Sequence, residues 1–360
     1  MAWDRLEVGT LTVSPTRSHP LTSTLERPRH APRTPPARPG RDPWFDNAKM
    51  LLVTLVVVGH TWPFLPDTTF NERLYDWMYL WHMPAFVIVT GYLSRTFTYS
   101  RRHLRRLVTT VLLPYLVFEG LLALFRTHVG GESFDTLWID PHWPMWFLAA
   151  LVVWRLATPA LQRIPHGPAL ALTFAASLVG GIAGTTVLDT NRILGFLPFF
   201  ALGLLAEKRH LDALRSTTGR VLGIAVLAAG IPVAVWIDRS LGSEWLYYRT
   251  AYADLDTSWW QGLGLRGVLL AVSVAMSLAV LAWIPGSTRW FTRLGSASLV
   301  VYLFHGFFIK GASYAGFEDW AADRPVLSLV VATLGGIAIS LLLSWRPVRK
   351  PLEKVIAPSP

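Results

Sequence analysis

The stretch FDNAKMLLVTLVVVGH, Phe45 to His60, sets three ionisable side chains into a segment otherwise apolar enough to enter a bilayer. Lys49 and His60 are eleven residues apart. Three turns of α-helix take about 10.8 residues, so both lie on nearly one face, separated by roughly 16 Å along the axis. Asp46, one turn before Lys49, is spaced to pair with it. Lipid exposure of such groups costs several kcal/mol, so the stripe should face a bundle interior or a wet cavity. An imidazole, titrating near 6.5, suits the deprotonation of a hydroxyl. A second intramembrane histidine, His305, lies in SLVVYLFHGFFI, with Tyr302 three residues before it as a local partner. Arg95 opens a basic loop containing SRRHLRRL. Its arginines, Arg102 and Arg105 among them, have the planar fork that grips phosphate. Each residue also has a plain structural reading. Lys49 can snorkel to the interface, His60 can cap a helix end, His305 can be satisfied by Tyr302, and the arginines can simply mark a cytoplasmic loop.

The elements that must position these groups are helices. The chain is 52% hydrophobic and only 16% charged, against about a quarter charged in soluble domains. Residues 1–42, rich in Pro, Arg, Ser and Thr, cannot bury a core and are expected to form a disordered cytoplasmic tail without the apolar region of a signal peptide. Ten apolar stretches follow, near 47–64, 77–94, 107–126, 144–162, 169–188, 192–206, 220–238, 263–284, 295–312 and 326–345. Each has roughly the 20 residues a spanning helix needs, with 192–206 the shortest. The expected fold is therefore all-α, a polytopic membrane domain over 43–350 with a short cytoplasmic tail at 351–360. Pro84 and Gly91, both inside the second stretch, imply a broken helix and a close helix contact.

The net charge of +10 sorts by side. Of 33 Lys and Arg, 25 fall on the side of the N-terminus if the stretches alternate, while 15 of the 23 acids fall opposite. This is positive-inside topology: both termini are expected in the cytoplasm of a multi-pass cell-membrane protein, and the basic balance does not call for nucleic acid. Trp62, Trp81, Trp143, Trp146 and Trp345 sit near stretch ends, as interfacial aromatics do. The segment 239–262, with Trp245, Tyr247, Tyr248, Tyr252, Trp259 and Trp260, reads either as a sugar-binding surface or as interfacial packing. There is no cysteine, so no thiolate site or Cys nucleophile, and the Asp, Glu and His spacings carry no metal signature.

Together FDNAK…VVVGH, HMPAFVIVTGYL, RRHLRRL…LLPYL, MWFLAAL, LPFFALGLL and VVYLFHGFFI resemble, in order, the acyltransferase 3 family of membrane-bound O-acyltransferases. Two departures stand out. The family's usual arginine is Lys49 here, which keeps the charge but loses the fork, and the interval from Arg106 to Pro114 is about a turn longer. The resemblance implies transfer of an acyl group, most often acetyl, from cytoplasmic acyl-CoA to a hydroxyl of a glycan, lipid or secondary metabolite. It implies His60 as general base, with Lys49 and Asp46 orienting donor or histidine, His305 in an acceptor-side or relay role, and Arg95, Arg102 and Arg105 on the CoA phosphates. No metal is implied. A secondary transporter or flippase is the alternative, since it too has intramembrane ionisable groups and broken helices.

Overall fold

A computed structural model describes residues 42–134, 136–184 and 187–356. Most of the expected N-terminal tail, and residues 357–360, lie outside them. Among the described residues the fold is helical, with no strand. In chain order the helices are α1 (Pro43–Thr61), α2 (Thr69–Tyr79), α3 (His82–Leu93), α4 (Arg101–Leu107), α5 (Leu113–Gly130), α6 (Trp146–Leu161), α7 (His166–Ala183) and α8 (Thr190–Leu205). They continue with α9 (Lys208–Leu214), α10 (Thr217–Ser240), α11 (Glu244–Tyr247), α12 (Trp259–Trp283), α13 (Ser298–Tyr314), α14 (Phe317–Ala321), α15 (Pro325–Ser344) and α16 (Arg346–Ile356).

Each of the ten apolar stretches coincides with a helix. Among the described residues, seven helical segments are long and apolar enough to cross a membrane, which makes the chain a multi-pass membrane protein. The three stretches that fall short do so for physical reasons. Helix α1 has Asp46, Asn47, Lys49 and His60 within 19 residues. The second stretch is interrupted: α2 ends at Tyr79, and α3 restarts at His82 with Pro84 in its first turn, where a missing N–H costs nothing. Helix α6 starts only at Trp146, beyond Pro144. These three elements line the site described below.

Asp42 caps α1, its carboxylate accepting the Trp44 N–H at 2.9 Å and pairing with Arg215 at 3.0 Å. Asn47 is fully buried. Its amide donates to the Pro285 and Ser287 carbonyls at 2.7 and 3.0 Å and accepts from Thr292 at 2.6 Å, so it ties α1 to the connection after α12. The long interval before Pro114 is a π-helical turn, Val108–Leu112, joining α4 to α5. Pro114 has no N–H to offer one turn back, and the wider i→i+5 pattern accommodates that loss.

Helices α3 and α8 form the most extensive helix contact. A Cβ on Gly91 would stand 2.1 Å from the Phe200 carbonyl oxygen, and one on Gly203 1.9 Å from that of Ile88, so the two backbones touch through reciprocal glycines. Gly91→Ala is expected to cost about 1–3 kcal/mol or more, because backbone rather than a side chain must give way. Its thermal midpoint in detergent should fall well below wild type, and an unchanged midpoint would contradict this packing.

Candidate active site

His60 and His305 come from α1 and α13, 245 positions apart in sequence, and meet with His60 Nδ1 2.9 Å from His305 Nε2. Their tautomers follow from the partners. His305 Nδ1 lies 2.6 Å from the Tyr302 carbonyl oxygen, which only accepts, so that nitrogen holds the proton. With both rings neutral, His305 Nε2 is then an acceptor, His60 donates from Nδ1, and the lone pair of His60 is left on Nε2. The local partner expected of Tyr302 is thus its carbonyl, since its hydroxyl donates instead to the Pro144 carbonyl. Trp143 packs edge-on against His60, with centroids 4.2 Å apart.

His60 lines a cavity of about 250 Å³, together with Tyr75, Tyr79, Trp146, Arg192 and Tyr247. An imidazole with an open lone pair in such a space can take a proton from a bound hydroxyl. The Tyr75 and Tyr247 hydroxyls, 2.8 Å apart, separate this space from a smaller one lined by Asp67 and Glu72. Arg192 is fixed by Asp189 at 3.1 Å and by the Tyr247 carbonyl at 3.3 Å. Asp189 in turn pairs with Arg249, which pairs with Asp140 at 2.8 Å.

Lys49 lines a different cavity, of about 220 Å³, with Thr90, Thr110, Arg155 and Ser298. Phe147 and Tyr302 line both spaces and form the partition between them. Helix direction explains the arrangement. Helices α1 and α13 run from the Lys49 cavity towards the His60 cavity, whereas α3 and α6 run back, with Met83 and Trp146 in one space and Leu93 and Arg155 in the other. The shared face of Lys49 and His60 therefore addresses two chambers. Asp46 pairs with Lys49 at 2.7 Å.

The three basic-loop residues are not gathered into that second cavity. Arg95 lies over the Tyr92 ring at 3.4 Å and donates to the Tyr92 and Ala206 carbonyls at 3.0 and 3.3 Å. Arg102 and Arg105 stand exposed on α4. Arg155, Arg192 and Glu119 are functional candidates that enter the sequence reading only as charges counted by side. All three lie within apolar stretches, and that placement is the available signal. The aromatic segment 239–262 divides. Trp245, Tyr248 and Tyr252 are buried, with Tyr252 bonded to the Leu178 carbonyl at 2.8 Å, and Tyr247 reaches the cavity.

The connection from α5 to α6 is pinned beside the site by Glu132, which accepts from Arg126, Tyr314 and Lys310. Burial pushes its carboxyl up, but these three donors together outweigh that and hold it at about 2, against an ordinary 4.5. The stability they confer is therefore complete above pH 4.5 and lost as pH falls through about 2. The difference in thermal midpoint between wild type and Glu132→Gln should be constant near neutrality and shrink steadily below pH 4.5. A difference that grows on acidification would contradict this.

A family model described as an acyltransferase domain matches residues 42–345, which include both cavities. Nodulation protein NolL of Mesorhizobium japonicum is 26% identical over 333 residues, covering 84% of this chain and 85% of its own length. No solved structure matches the chain. The match extends over nearly all of the described fold, from the cap of α1 to the end of α15, and the chain belongs to the acyltransferase 3 family as a membrane O-acyltransferase.

Proposed function

We propose that the protein moves an acyl group, most simply acetyl, from acyl-CoA held in the Lys49 cavity to a hydroxyl held in the His60 cavity. The observation that carries this reading is the partition: one thin wall, Phe147 and Tyr302, separates a basic chamber from a chamber holding an imidazole with an open lone pair. Lys49 and Arg155 bring positive charge to the phosphates of the donor, and Arg102 and Arg105 attract it from the surface of α4. Arg95, bonded to helix-end carbonyls, shapes the loop between them.

The thioester end of the donor passes between Phe147 and Tyr302 into the His60 chamber, where the hydroxyl oxygen attacks its carbonyl as the hydroxyl proton passes to His60 Nε2. The C–S bond then breaks, the ester is released, and the thiolate takes the proton back from His60 to leave CoA thiol. His305 holds His60 in the reactive tautomer and disperses the charge it acquires, while Arg192 in the same chamber offsets the developing oxyanion. Asp46 holds Lys49 in place. The excess of basic residues at the Lys49 end orients the chain in the cell membrane with both termini and the donor chamber in the cytoplasm, and the acceptor chamber towards the outside. The acceptor is a glycan, lipid or secondary-metabolite hydroxyl. Family membership favours transfer over the transporter or flippase reading.

The test is to supply membranes containing the protein with acetyl-CoA labelled in the acetyl group. Base-labile label should appear in extracted glycan, lipid or small-molecule fractions, and be missing from membranes with the His60→Ala variant. Equal labelling by both would overturn the proposal.

A further inference from the structure

Glu119 lies inside α5 with no exposed surface, where an unsatisfied carboxylate would cost several kcal/mol. Among the described residues its hydrogen-bond partners all belong to one residue. It accepts the His142 backbone N–H at 2.9 and 3.2 Å, and lies 2.6 Å from His142 Nδ1. His142 is itself buried, and the pair borders neither the donor nor the acceptor chamber.

The segment from Asp140 to Met145 is not helical, yet it enters the bundle as far as the histidines. Non-helical backbone at that depth persists only where protein satisfies its polar groups. Pro141 and Pro144 bring no N–H. The N–H of His142 goes to Glu119, that of Met145 to the His142 carbonyl at 2.7 Å, and the Pro144 carbonyl accepts from Tyr302.

We propose that Glu119 is a positioning residue for the His60–His305 pair, acting through this segment; the proposal rests on His60 being the base. Fixing His142 fixes its neighbours, which reach the pair by two routes. Trp143 bears on the His60 ring. Pro144 holds the Tyr302 hydroxyl, and the Tyr302 carbonyl holds the Nδ1 proton of His305, which sets the nitrogen that His305 presents to His60.

The test compares Glu119→Gln with wild type in acetyl transfer from acetyl-CoA, with thermal midpoints read on the same samples. Glutamine keeps one oxygen for the His142 N–H and Nδ1, but its NH₂ takes the place of Glu119 Oε2, 3.2 Å from the His142 backbone nitrogen and donor against donor, so the segment must shift. The kcat should fall about tenfold or more, with KM for acetyl-CoA within about twofold of wild type, because displacing a catalytic group weakens the transition state rather than donor binding. In a Trp143→Ala background the Glu119→Gln penalty should shrink by about threefold or more, because one route is already cut. His142→Asn, which keeps the backbone bond and offers a side-chain N–H, should retain most of the turnover that His142→Leu loses. An unchanged kcat in Glu119→Gln, a loss confined to KM, or penalties that multiply in full with Trp143→Ala would overturn the proposal. His60→Ala is run alongside. Turnover by that variant would sink the base assignment, whereas an inactive His60→Ala beside an unaffected Glu119→Gln would sink the positioning role alone.

Discussion

His60→Ala will lower acyl transfer by about 10²–10⁴-fold, the usual contribution of a positioned general base, while the protein still inserts and folds. The expectation comes from the hydrogen-bond chain, not from the presence of a histidine as such. Tyr302 fixes the proton of His305, His305 fixes that of His60, and the reactive nitrogen is the one left over. A hydroxyl is a poor nucleophile near neutral pH, whereas the thioester is already activated, so removing the base should strike kcat. The KM for acyl-CoA should move little, because the donor chamber lies beyond the partition. The fold should survive because His60 borders a cavity, while fully buried Leu52, Val53 and Val57 hold α1 in the bundle. Near-normal turnover by the variant would remove His60 from the reaction.

Replacing Lys49 and Arg155 together with alanine should raise KM for acetyl-CoA by about 100-fold, as expected if two charge-assisted contacts of 1.5 kcal/mol or more are lost. Both side chains are largely enclosed by protein, where attraction to phosphate is weakly screened. Replacing Arg102 and Arg105 together should raise it only a few-fold, because exposed charges act through a screened field. Initial rates at varied acetyl-CoA decide between the sites. A larger effect from the exposed pair would move the donor site from the cavity to the surface of α4.

Much of this arrangement was legible from periodicity. The common face of Lys49 and His60, the Asp46 partner, the broken second helix and the glycine contact at Gly91 all follow from local spacing, and local spacing is what a helix preserves. The His60–His305 contact was not legible, because it depends on how two distant helices pack. Nor was the fate of the aromatic segment: nothing in its composition tells the buried Tyr248 and Tyr252 from Tyr247 in the cavity. Arg155, Arg192 and Glu119 lie inside apolar stretches, but a count of charges by side does not tell them from loop residues. An ionisable residue within an apolar stretch is stronger evidence of a site than one in a basic run, where topology alone explains the charge. That contrast separates Arg155, in the cavity, from Arg102 and Arg105, on the surface.

The central claim is that donor and acceptor approach His60 from opposite sides of one partition. Sealed membrane vesicles test it most directly, because acetyl-CoA does not cross a bilayer. With labelled acetyl-CoA added outside, inside-out vesicles bearing the wild-type protein should transfer label to material enclosed in the lumen, and right-side-out vesicles should transfer none until permeabilised. Transfer by intact right-side-out vesicles at the inside-out rate would place the donor chamber on the other side and contradict the account.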